Sequence, residues 1–309
     1  MALLDRAIVS ALPAVPKPIV RLISQRYIAG ERIEDACRVV KEINAAGKMA
    51  TIDVLGEEVT TPEEARHIAY AYDDVFRAIG EQGLDSNVSV KLTGMGLKLA
   101  REIAKENLER TVRLAAQRGN FVRIDMEDSS CTDDTLAIYR ELREEGLENV
   151  GIVLQAYLRR TLDDIASLAD LTPNVRLCKG IYVEPLKVAY HDFDQIRANF
   201  FRALGALLEG GSYVGIATHD EWLIHEATRL VGRYRRGREQ YEFQMLLGVR
   251  ERRGDELVRD GHRLRIYVPY GEQWYAYSLR RLQENPKIAG YIASDTVGRL
   301  LPRRNGARA

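Results

Sequence analysis

Cysteine is scarce in this chain: Cys37, Cys131 and Cys178 stand far apart in 309 residues. Three scattered thiols cannot build a disulfide framework or a zinc site, so a reducing, cytoplasmic compartment is expected. A surplus of charge is also missing, since Lys+Arg and Asp+Glu are both 45. Binding of nucleic-acid phosphates usually leaves a basic excess, so nucleic acid is not an expected partner. No run approaches the ~20 apolar residues of a membrane span. The apolar stretch after Ile8 is broken by Pro13, Pro16, Lys17 and Pro18, which is not the layout of a secretory signal. Peripheral contact with a bilayer stays open. Paired histidines at ligand spacing are absent, His225 falling six positions after His219, so no metal is expected. No linker or low-complexity tract suggests a second domain.

What is present is ordinary for a soluble globular protein, with 46% apolar and 29% charged residues. Eight short runs rich in Val, Ile and aromatics read as strands: Met49–Val54, Val88–Leu92, Phe121–Met126, Val150–Ala156, Val175–Cys178, Tyr213–Thr218, Tyr241–Leu247 and Leu264–Val268. Helical patterning fills the intervals. Thr61-Pro62-Glu63-Glu64 has a cap residue, a first-turn proline and a capping-box glutamate, and Thr161 with Asp164 is a weaker version. Strict alternation of strand and helix implies a parallel sheet with right-handed crossovers. Eight units in about 250 residues is the size of a closed (βα)8 barrel. An open doubly wound sheet is the rival. Its G-x-G-x-x-G fingerprint is missing after the first strand, where Val54-Leu55-Gly56 stands, and Gly94-Met95-Gly96 lacks the third glycine. The expected organisation is an α/β fold. A helical segment at 1–46 carries helices at Pro18–Ala29 and Ile33–Ala46. The barrel follows at 47–300, with a frayed tail at 301–309.

In such a barrel the chemistry sits at the C-terminal ends of the strands. Asp53, Ser89 with Lys91, Arg123 with Asp125, Gln155, Arg176 with Lys179, Thr218 with His219, and Tyr267 occupy those ends. Strand alternation puts Ser89 and Lys91, and Arg123 and Asp125, on one face, with Val88, Val90, Val122 and Ile124 on the other. Charges turned into a barrel mouth are costly unless they pair with each other or with a ligand, so the mouth suggests a charged ligand. Singly, each residue has a plain structural alternative. Lys91 is also read as an ion pair with Asp125, Asp53 as a loop or cap residue, and His219 as a helix cap.

Near the C-terminus, Tyr267-Val268-Pro269-Tyr270-Gly271 precedes Tyr277, Arg280, Arg281 and Glu284. The last four share one face of a helix. Paired guanidinium forks suit a small carboxylate, and an aromatic wall suits an apolar ring, as in a cyclic amino acid.

Together these segments resemble the flavin-dependent proline dehydrogenases in their single-function bacterial form. The matching stretches are Asp53–Glu57, Ser89–Leu92, Arg123–Glu127, Gln155–Leu158, Arg176–Tyr182, Ala217–Asp220, Phe243–Gly248 and Tyr267–Glu284, all in family order. Ile181 and Val183 depart from the pattern, where a smaller residue and an aromatic are expected. The resemblance implies a TIM-type barrel with FAD across the strand ends and the last helix over the mouth. It implies that Arg280 and Arg281 clamp the proline carboxylate with Lys91, that Tyr267, Tyr277 and Leu246 enclose the ring, and that Glu284 braces the pocket. Glu57 would pair with Arg280 as a gate. Asp125 and Arg176 match catalytic positions. Met126, Gln155, Arg176, Lys179, Gly180, Ile181, Tyr182, Thr218 and His219 would line the cofactor. The implied reaction oxidises L-proline to Δ1-pyrroline-5-carboxylate, with electrons passed to a quinone at the inner membrane. The oligomeric state is left open. Two rivals remain: a barrel aldolase using Lys91 or Lys179 as a Schiff-base lysine, and a binding barrel without turnover.

Overall fold

The computed structural model describes residues 20–21, 24, 26–56, 59–275 and 277–279. The chain divides into two compact units, one of residues 27–272 and one of residues 1–26 with 273–309. The larger unit is a closed barrel of eight parallel strands in sequence order, the eighth pairing with the first. The strands are β1 (Met49–Val54), β2 (Ser86–Val90), β3 (Val122–Ile124), β4 (Val150–Gln155), β5 (Asn174–Cys178), β6 (Tyr213–Ala217), β7 (Tyr241–Leu246) and β8 (Leu264–Tyr270). Helix α1 (Ile33–Ala45) precedes β1. The crossovers are α2 (Pro62–Gln82), α3 (Arg101–Gln117), α4 (Thr132–Glu144), α5 (Thr161–Ser167), α6 (Phe193–Glu209), α7 (Glu221–Arg233) and α8 (Glu251–Arg259).

Local chemistry sets the helix starts. Thr61 accepts the amide of Glu64, Pro62 opens α2, and the Glu64 carboxylate reaches back to the Thr60 amide at 2.7 Å. Gly83 closes the helix in the left-handed region, where a Cβ is penalised. Thr161 does not cap α5. It lies inside the helix, and its hydroxyl donates to the carbonyls of Gln155 and Leu158. The expected helix at Pro18–Ala29 does not reach its C-terminal limit. Arg26 and Tyr27 form a turn, and Ala29 donates to the Pro269 carbonyl at the end of β8.

The outward faces of the strands make the core. Val88, Val90, Val122 and Ile124 are fully buried, together with Tyr72 and Phe76 of α2, Ile138 and Tyr139 of α4 and Phe200 of α6. Each such side chain contributes about 1.5–3 kcal/mol relative to exposure.

The inward faces are polar. Toward the N-terminal end, Arg265 donates to Glu242 at 2.7 Å and to the Ala50 carbonyl at 2.6 Å, while Tyr213 donates to Glu242 at 2.7 Å. Arg123 donates to the carbonyls of Ile152 and Asn174 and to the Asn174 side chain. Glycine makes room for these long groups. A Cβ at Gly151 would meet Arg123 Nη1, and one at Gly215 would meet the Gln244 amide.

Candidate active site

Period-two alternation carries one inward residue from each of several strands to the C-terminal rim. Asp53, fully buried, accepts on Oδ2 from Tyr267 Oη at 2.7 Å and from Lys91 Nζ at 2.8 Å. Asp125 accepts on Oδ1 from Ser89 at 2.6 Å and from Arg176 Nη1 at 2.7 Å. Its other oxygen faces Tyr267 Oη at 3.0 Å and Lys91 Nζ at 3.4 Å. One phenol proton thus stands between two carboxylates, with an ammonium between them as well. Arg176 also reaches Ser89 Oγ at 3.1 Å, and its guanidinium lies 5.3 Å from the Tyr267 ring centroid.

These carboxylates differ. Burial pushes Asp53 above the usual carboxylate range, and repulsion from Asp125 adds to this against the pull of Lys91. Burial acts on Asp125 in the same sense, but Lys91 and Arg176 outweigh it and hold the group low. Lys91 would be pushed down by burial, yet Asp53, Tyr267 and Asp125 raise it well above an ordinary lysine. Such a lysine stays protonated, the opposite of what a Schiff-base nucleophile needs. Lys179, the other aldolase candidate, pairs with Asp220 at 3.4 Å.

Around this cluster stand the residues expected to hold a cofactor. Gln155 is buried and donates to the Met126 carbonyl at 3.4 Å, while its own Oε1 has no hydrogen-bond partner among the described residues. Gly180 has φ +102, and a Cβ there would clash with the Tyr157 ring, so both backbone and packing call for glycine. Thr218 accepts the Asp220 amide at 3.1 Å. His219 accepts the Leu246 amide on Nε2 at 3.0 Å, so that nitrogen carries no proton and the ring braces the Leu246 backbone. Tyr182 is half-buried, Ile181 is partly exposed and Val183 is almost fully exposed. A carboxylate clasp joins two loops, with Glu184 accepting both the amide and the hydroxyl of Ser129 at 2.6 Å.

Lys91, Asp125, Arg176 and Tyr267 therefore meet in one hydrogen-bonded cluster, and Met126 and Gln155 touch one another. Glu57, Arg280, Arg281 and Glu284 lie outside the described residues, as does most of the expected last helix. Tyr277 is buried. Asp53 stands at a strand end in the sequence without a distinct role, and Glu242, Gln244 and Arg265 carry no motif that marks them. The available signal was the polar residue at every second position in Tyr241–Leu246 and Leu264–Tyr270. No helix of the described residues is long and apolar enough to cross a membrane.

Comparison with known proteins identifies relatives over most of the chain. The family model described as proline dehydrogenase matches residues 36–293. A proline dehydrogenase 1 of Bacillus subtilis subsp. natto is 42% identical over 272 residues, covering 88% of this chain and 90% of its own length. The Deinococcus radiodurans proline dehydrogenase is 38% identical over 274 residues, covering 87% and 88%. Among solved structures, proline utilization A of Bdellovibrio bacteriovorus, inactivated by N-propargylglycine, superposes with a TM-score of 0.82 at 25% identity. That match covers 93% of this chain and 38% of the larger protein.

Proposed function

Since the chain belongs to the proline dehydrogenase family and is an oxidoreductase, we propose that it oxidises L-proline to Δ1-pyrroline-5-carboxylate with FAD held across the C-terminal ends of the strands. The observation that carries this reading is the buried cluster of Asp53, Lys91, Asp125, Arg176 and Tyr267 at the family-matching strand ends. The residues present suit a flavin. Gln155 Oε1 is a buried acceptor with no donor among the described residues, which costs about 1–3 kcal/mol unless a ligand N–H supplies one, and the pyrimidine edge of a flavin carries such a group. Met126, Lys179, Gly180, Ile181, Tyr182, Thr218 and His219 are assigned to the same cradle from the family resemblance.

When bound, FAD supplies the acceptor for the hydride that leaves the proline ring. The chain supplies placement and charge. Arg176 presents a fixed cation where negative charge accumulates during the reaction. Lys91, with Arg280 and Arg281, is assigned to the substrate carboxylate, an arrangement in which positioning lowers the barrier. Tyr267, Tyr277 and Leu246 are assigned to the ring, Glu284 to bracing the pocket and Glu57 to a gate. The surrounding cations disfavour a protonated substrate amine, so activity should rise toward mildly alkaline pH. The acceptor that reoxidises the protein is assigned to the quinone class, which requires transient contact with a bilayer. An anaerobic absorbance spectrum tests the core of this reading. A yellow protein bleached by L-proline supports it. Protein that stays colourless after refolding with excess FAD sinks it.

A further inference from the structure

We propose that Gln244 is a positioning residue for Arg176, and that the Glu242–Gln244 column rising through the barrel fixes the plane of that guanidinium. The proposal rests on the flavin reading above and extends it to a residue away from the ligand. Gln244 is buried, and both ends of its amide are used. Its Nε2 donates to Glu242 Oε1 at 2.6 Å, and its Oε1 accepts from Arg176 Nε at 2.5 Å. The amide cannot be turned over. An ionised carboxylate is acceptor-only, so Glu242 demands the NH2 end and leaves the carbonyl oxygen for Arg176.

Glu242 is itself locked by Arg265 and Tyr213 at 2.7 Å each. Burial would push this carboxyl up, but Arg265 and its hydrogen-bond donors hold it below the usual range. The neighbouring strand has Gly215 at the place where any side chain would displace the Gln244 amide. Arg176 is thereby held at Nε by Gln244, at Nη1 by Asp125 and Ser89, and over its face by Tyr267. A planar fork held at two nitrogens has no rotation left. Its remaining nitrogen, Nη2, makes no hydrogen bond among the described residues and is the edge left to address the flavin.

Gln244 is neutral, so Gln244→Met alters no formal charge, and the proposal requires that the change in flavin potential come through Arg176 rather than through Glu242 or packing. A two-by-two set of variants tests this: the parent protein, Gln244→Met, Arg176→Met and the double variant. Each is loaded with FAD, checked for flavin content and titrated for its two-electron midpoint potential. Gln244→Met should lower the potential by an amount equivalent to roughly tenfold in the reduction equilibrium, about 30 mV for a two-electron couple, and should lower kcat more than it raises KM. In the Arg176→Met background the same change should have no further effect. Gly215→Ala, which keeps every hydrogen-bonding group, should shift the potential in the same direction and serves if Gln244→Met does not fold. A flavin-loaded Gln244→Met or Gly215→Ala protein with the parent potential overturns the proposal. So does an equal drop with and without Arg176, which marks a general packing effect. A parent protein that takes up no flavin instead overturns the functional reading, and this inference with it.

Discussion

The two ends of the barrel interior are built from the same residue types and behave differently. At the N-terminal end, Glu242 is met by Arg265, Tyr213 and Gln244, and its carboxyl is held low. At the C-terminal end, Asp53 and Asp125 compete for one phenol and one ammonium, and Asp53 keeps a buried oxygen without a partner among the described residues. Its carboxyl is pushed up, whereas that of Asp125 is held down. The Glu242 network is finished and the Asp53 one is not; at the lower end the unmet group is a donor, Arg123 Nε, among the described residues. In a fold whose chemistry lies at the C-terminal rim, the unmet Asp53 oxygen is where a ligand has something to complete.

The contrast breaks first where the finished network is cut. Arg265→Met leaves Glu242 buried without its main counter-ion, and denaturant unfolding should show a loss of about 3–5 kcal/mol. A loss below ~1 kcal/mol would mean that the lower end is not the scaffold described. At the upper end the order of effects should reverse. Arg176→Met should lower kcat/KM for L-proline by about 10²–10³-fold. It should cost less stability than Arg265→Met, because Asp125 keeps Lys91, Ser89 and Tyr267. Equal losses of stability in the two variants would erase the distinction.

Titration sharpens the comparison. Glu242 has a depressed folded value, so its contribution is complete above about 4.3, the unperturbed glutamate value, and is lost as pH falls through the folded one. Lys91 has a raised folded value, so its contribution is complete below about 10.4, the unperturbed lysine value, and is lost as pH rises through the folded one. Asp53→Asn removes the largest partner holding Lys91 up. The alkaline limb of the stability profile should then move toward neutrality. An unmoved alkaline limb would show that Asp53 is not what holds the Lys91 value up. The smallest effect belongs outside the barrel. Arg113→Ala removes an exposed ion pair to Glu109 at 2.7 Å and should change unfolding by no more than about 0.5 kcal/mol.

The barrel itself was legible because β1 to β8 are apolar on their helix-facing sides and helical patterning separates them. β1 has the limits read from its sequence, Met49–Val54. β2 begins two residues earlier than the apolar run, because Ser86 and Asn87 look like loop residues while Asn87 pairs with Thr51 inside the barrel. β3 is shorter than its run, Val122–Ile124: the Asp125 amide still bonds the Val90 carbonyl at 2.8 Å, and the chain then leaves the ladder to place Met126 and Glu127. At the site, each rim residue was visible alone, but its partners were not. Lys91 was read against Asp125, yet its shorter contact is with Asp53, a pairing set by barrel closure and strand register rather than by local spacing. Glu242 and Arg265 escaped notice because a buried ion pair inside a barrel has the same alternating pattern as a strand with one wet face.

The Glu184 clasp has a mechanical consequence. By gripping both the amide and the hydroxyl of Ser129, it ties the loop after β3 to the loop after β5. The Ser129 amide should then exchange its proton with solvent only when the two loops part.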